Sequence, residues 1–147
     1  MARDPLPVLL RARRLAQDDA RRALADGVKA EADASDQLAA ADREVAEEAR
    51  CVTALAPDSA ARIAYGAWLE RARRERRDVQ ATLAVAREQS GVLRERMREA
   101  RAASRVAEAL LAKQAVARKA AADRQEQIRL DEAGQWGRRG LGPPGAA

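Results

Sequence analysis

Apolar side chains return every seven positions over most of this chain, with charged and polar residues between them. From Pro7 to Pro57 the repeat runs through Leu10, Leu24, Leu38, Val45 and Val52, interrupted by Gln17 and Glu31. Three positions behind its members come Ala20, Gly27, Ala34, Ala41 and Leu55. Beyond Pro57 a second repeat takes in Tyr65, Ala72, Val79, Ala86, Leu93, Ala100, Ala107, Gln114, Ala121 and Ile128, with Leu69, Leu83, Met97 and Leu111 four positions after some of them. Steps of three and four sustained over that many heptads hold a narrow stripe on one helix face, the pattern of a coiled coil.

The helix breakers say where the stripe is cut. Prolines occur only at positions 5, 7, 57, 143 and 144. Asp4 before Pro5 reads as an N-cap with proline in the first turn, where its missing N–H costs nothing. Ala56-Pro57-Asp58-Ser59 reads as the single turn, with Asp58 or Ser59 capping the second helix. Gly134 and Gly137 are expected to end that helix, leaving a Gly/Pro-rich tail over 134–147. A short connection makes neighbouring helices antiparallel. The predicted fold is therefore all-α, a long antiparallel two-helix coiled-coil hairpin over residues 5–133. Its arms are unequal: helix one over about 5–55, a turn at 56–58 and helix two over about 59–133.

A register in which facing residue numbers sum to about 117 sets Leu24 against Leu93, Leu38 against Val79 and Val52 against Tyr65. It also sets Ala20 against Met97 and Ala34 against Leu83, large against small as close packing asks. Residues beyond about 110 then have no partner within the chain, an overhang on the order of 35 Å at about 1.5 Å per residue. The seam turns polar there, with Gln114, Arg118 and Gln125, yet Leu111, Ile128 and Leu130 remain. A helix end of that kind stabilises itself poorly and is suited to docking.

Composition agrees with helices rather than a thick core. Phenylalanine is absent, aromatics are 2 % and charged residues 35 % of 147, the balance of a long helix or coiled coil. Residues 1–57 hold nine basic and eleven acidic side chains, net −2, and residues 58–147 nineteen and twelve, net +7, so the basic character behind the overall +5 belongs to the second segment. Its densest run, Arg71-Ala-Arg-Arg-Glu-Arg-Arg77, is a candidate nucleic-acid stripe. Glu70, Glu75 and Asp78 interleave with it as they do on a solvated helix face, and that reading is preferred. Cys51 is the single cysteine and histidine is absent, which excludes an internal disulfide and suits a reducing, cytoplasmic setting. No run approaches the roughly 20 apolar residues of a membrane span.

Catalytic signatures are missing too. There is no phosphate-binding G-x-x-x-x-G-K-[ST], no G-x-G-x-x-G and no His/Cys cluster for a metal. The expectation is a non-enzymatic protein without cofactor, metal, small-molecule substrate or nucleic acid. Trp68, beside Tyr65 and Leu69, either covers the helix pair or anchors a partner.

Three stretches carry a family resemblance. Leu6-Pro-Val-Leu-Leu-Arg-Ala-Arg-Arg-Leu15 and the acid-rich helix after it, the segment Tyr65–Gln89, and a basic–acidic C-terminal helix closing on Glu126-Gln127 and Asp131-Glu132 together resemble the FliJ family. That family comprises small coiled-coil components of the bacterial flagellar type III export apparatus, and the match spans about residues 5–134. Alanine at many seam positions, arginine in place of lysine and the Gly/Pro tail depart from the family pattern. The stalk protein of virulence-type secretion systems shares the architecture and is the nearest alternative.

The resemblance implies a stalk and chaperone-like protein that enters the hexameric export ATPase, contacts the cytoplasmic domain of the export gate and handles export chaperones. It would be cytoplasmic and peripherally associated with the inner membrane. It assigns ATPase docking to Arg124, Gln125, Glu126, Ile128, Arg129, Leu130, Asp131 and Glu132. The turn-side residues Leu38, Tyr65, Trp68 and Leu69 are the expected gate-facing surface.

Overall fold

The computed structural model describes residues 4–57, 59–138 and 140. Two helices make up the fold: α1 over Pro5–Thr53 and α2 over Ala60–Arg138. They pack against each other as an antiparallel hairpin with arms of 49 and 79 residues. No other helix and no strand occurs among the described residues.

Local chemistry sets the ends. The Leu6 N–H donates to the Asp4 carboxylate at 3.1 Å, so Asp4 caps α1 and Pro5 occupies the first turn. At the other end the Thr53 hydroxyl donates to the Arg50 carbonyl at 2.7 Å, and the Leu55 N–H to the Val52 carbonyl at 3.1 Å. These tighter bonds close α1 at Thr53, two residues short of the expected end, and leave Leu55 outside the helix and exposed. Ser59 starts α2, its hydroxyl accepting from the Arg62 N–H at 3.3 Å. The alternative cap, Asp58, lies outside the described residues.

The far end of α2 corrects the expected boundary. Helix passes through Gly134 and Gly137 and stops at Arg138. An exposed helical glycine costs only about 1 kcal/mol relative to alanine, too little to stop a helix alone. Gly140, at φ 62°, is the residue in the left-handed region. The remaining positions of the expected tail, 139 and 141–147, lie outside the described residues.

The chain divides into two compact units, Arg14–Ala102 and Met1–Arg13 with Ala103–Ala147. In the first, the seam is as narrow as its alanines dictate. Ala34, Leu83 and Ala86 are buried, and Leu24, Gly27, Leu38, Val45, Val79, Leu93 and Met97 are half-buried. Gly27 permits the closest approach. Its backbone faces Ser90, and a methyl group at position 27 would sit 2.5 Å from Leu93 Cδ1 and 3.9 Å from Ser90 Cα. Gly27 opposite Ser90 and Asp42 bonded to Arg76 place facing residues at sums of 117 and 118.

The second unit pairs the first residues of α1 with α2 from Ala103 onward. Ala107 and Ser104 are buried, and Leu6, Leu10, Leu111 and Gln114 are half-buried around them. Pairing continues further than the expected limit of about 110, because the guanidinium of Arg118 reaches the Asp4 carboxylate at 2.5 Å. Past that contact nothing on α2 is covered. Every residue from Ala115 to Arg138 is exposed.

Candidate functional site

The C-terminal stretch of α2 brings the expected docking residues together by helical geometry alone. Arg124, Gln125, Glu126, Ile128, Arg129, Leu130, Asp131 and Glu132 occupy just over two exposed turns. Ile128 and Leu130, at 56 % and 59 % exposure, stand among ionised side chains. One contact orders this surface from within, the Gln127 amide donating to Asp131 Oδ1 at 3.1 Å. An exposed patch of mixed charge and isolated apolar side chains is suited to recognition.

The unit's other end is tied down by Asp4. Its carboxyl is held below the usual range, chiefly by the Leu6 N–H bond; desolvation opposes this, and Arg118 adds to the lowering. The same group therefore caps α1 and clasps α2 at the last covered turn.

In the Arg14–Ala102 unit the turn-side residues separate into two groups. Tyr65 and Trp68 stack with ring centroids 5.6 Å apart at 25°. They line an open cleft of about 350 Å³ with Glu48, Cys51, Val52, Leu55 and Arg71. Trp68 and Arg71 also border a smaller cleft with Ala41, Glu44, Val45, Ala72 and Glu75. Trp68 thus covers the helix pair from the side, half-buried, rather than standing free. Leu69 is a half-buried seam residue, as is Leu38. Leu38 lines neither cleft and stands about one turn beyond Ala41, at the edge of the smaller one. The structure does not bring it to the aromatic pair.

The basic run is largely engaged within the chain. Arg73 pairs with Glu70 at 3.1 Å, Arg74 Nε donates to the Glu70 carbonyl at 3.3 Å, and Arg76 hydrogen-bonds Asp42 and Gln80. Asp42 raises the Arg76 pKa further, chiefly through that hydrogen bond. The run is a weaker cation than its five arginines suggest, because Asp42 of α1 pairs with Arg76 and Glu70 of α2 with Arg73.

One feature of the site was not read from the sequence. Glu31, seen only as a break in the apolar repeat, meets Ser90, whose side chain is fully buried. The Ser90 hydroxyl donates to Glu31 Oε2 at 2.6 Å, with the Arg87 carbonyl at 3.0 Å as a competing acceptor, and accepts from Arg94 Nη1 at 3.1 Å. Arg94 and Arg87 flank the carboxylate at 3.4 and 3.8 Å. The Ser90 bond is the main reason the Glu31 carboxyl is held below its ordinary range; desolvation opposes it, and the arginines add to it. The available signal was the facing of two seam interruptions, Glu31 and Ser90, within one turn of each other in the 117 register.

Among the described residues no group of three or more His, Cys, Asp or Glu is arranged to hold a metal ion. No helix among them is long and apolar enough to cross a membrane. Compared with family models, curated proteins and solved structures, the chain matches none.

Proposed function

We propose that this chain is a non-enzymatic stalk and chaperone-like component of a bacterial flagellar type III export apparatus. It docks by the α2 end into the hexameric export ATPase and contacts the export gate and export chaperones. One observation carries the reading: α2 outruns α1 and presents Arg124–Glu132, with Ile128 and Leu130 uncovered, as a helix with no partner of its own. Binding energy at such a surface comes from the two apolar anchors, while the alternating acids and bases set orientation and encounter rate. The Tyr65–Trp68 cleft is the second contact surface in this reading, for the gate, without Leu38.

The nucleic-acid alternative loses support because Glu70 and Asp42 already engage Arg73 and Arg76. The virulence-type stalk uses the same surface and differs only in the ATPase it enters.

The test is co-sedimentation of the chain with the purified hexameric flagellar export ATPase, comparing the full chain with one lacking residues 124–147. Loss of ATPase binding with the hairpin's helical circular dichroism retained is the expected result. Undiminished affinity in the truncated chain overturns the docking assignment.

A further inference from the structure

The uncovered end of α2 continues the heptad seam of the covered part. In the covered part of α2 the seam residues continue without a break to Leu111 and Gln114, in steps of three and four. Extended at the same steps, the seam passes through Arg118, Ala121, Gln125, Ile128, Glu132 and Gln135, all exposed. Reversing that series leaves it unchanged: Arg118 exchanges with Gln135, Ala121 with Glu132, and Gln125 with Ile128. An antiparallel coiled coil needs this match of seam onto seam, and residue numbers here sum to 253 as they sum to 117 inside the hairpin. Independently, the uncovered stretch runs from Ala115 to Arg138, and its two ends give the same sum. A second copy laid antiparallel on this stretch would thus end its helix level with the turn Ala115–Arg118, where the Asp4 carboxylate of α1 reaches the first copy.

We infer that residues 115–138 are a homodimerisation segment in which two copies pair antiparallel around a two-fold axis between Glu126 and Gln127. Ile128 of each copy packs beside Gln125 of the other, and the small Ala121 leaves room for the stem of the facing Glu132. Flanking positions carry the specificity. Arg124 and Asp131 face each other across the axis, and the symmetry makes that opposite-charge pair twice. Asp131 keeps one carboxylate oxygen for its Gln127 bond and offers the other to the partner's Arg124. A parallel pairing would instead set Arg124 against Arg129 of the other copy, two cations, and Asp131 beside Trp136, so the charges select the orientation. The seam is polar and short, which makes the dimer weak and reversible. The dimer covers Arg124, Gln125, Ile128, Asp131 and Glu132 of the residues assigned to docking, so self-association and docking exclude one another. The inference rests on seam and charge symmetry, and does not need the docking reading to hold.

Sedimentation velocity on the full chain, over loading from about 1 to about 300 µM, reads the monomer–dimer equilibrium directly. The expected result is a concentration-dependent dimer. Arg124→Asp or Asp131→Arg alone turns both attractive pairs repulsive and weakens dimerisation about tenfold. An equimolar mixture of the two variants recovers a heterodimer, because each carries the charge the other lacks. Both positions are exposed and leave the helical circular dichroism unchanged, so misfolding does not imitate the effect. A chain monomeric at every concentration overturns the inference, as does a dimer indifferent to either single substitution or not restored in the mixture.

Discussion

Replacing Leu83 with alanine tests whether the seam holds the hairpin together. Leu83 is 4 % exposed, and it is the largest apolar side chain buried among the described residues. The substitution removes the equivalent of three methylenes from a dry site, about 2.5 kcal/mol at roughly 0.8 kcal/mol each. A two-helix seam relaxes into part of the void, which keeps the cost near the lower end of the roughly 2–5 kcal/mol seen for buried leucines. The unit Arg14–Ala102 comprises about 90 residues. At about 2.1 cal/mol/K per residue its unfolding entropy is about 0.19 kcal/mol/K, so Tm falls by about 13 °C. Val85, two positions on and 52 % exposed, is the control. Val85→Ala loses little burial and gains helix propensity, so it changes stability by less than about 0.5 kcal/mol. Thermal melts followed at 222 nm, checked by urea titration, give both values. Equal losses in the two variants, or a Leu83→Ala cost below about 1 kcal/mol, refute the seam as the source of stability.

Other outcomes come from the polar contacts and the close approach. Glu31 and Asp4 both ionise below their ordinary 4.5 and 3.8. Carboxylates depressed in the folded state stabilise it above their unfolded pKa values, and that contribution is lost as pH falls through the folded ones. Melting temperature therefore declines from about pH 5 downward, and Glu31→Gln flattens the decline; an unchanged slope in that variant removes Glu31 from the account. Gly27→Val drives a branched side chain into Leu93 and costs about 1–3 kcal/mol. Adding Leu93→Ala should cost less than the two single losses together, and strict additivity in a double-mutant cycle would show that the two positions do not meet.

The hairpin was legible because its signal is redundant. Each of Tyr65, Ala72, Val79, Ala86 and Leu93 repeats the same message, and Pro57 marks the fold-back. The helix ends were less legible, because a glycine's effect depends on its dihedral angles. Gly134 and Gly137 look like stops, while the left-handed residue is Gly140. The Arg124–Glu132 surface could be placed from the arm lengths alone. The Glu31–Ser90 contact could not, since it joins residues 59 positions apart and needs the register to about one turn. Placing Leu38 with Tyr65 follows from their both lying toward the turn, which does not say which residues share a cleft.

The Glu31–Ser90 layer also has a mechanical consequence. To slide one helix past the other by a heptad, Glu31 would have to leave the turn of Ser90 for that of Leu83 or Met97, setting a carboxylate against hydrocarbon. Dragging an ion out of its hydrogen bonds into such surroundings is unfavourable. The layer works as a pawl, so a pull along the helices is resisted in shear, and the unit gives way by peeling from an end rather than by slipping in steps.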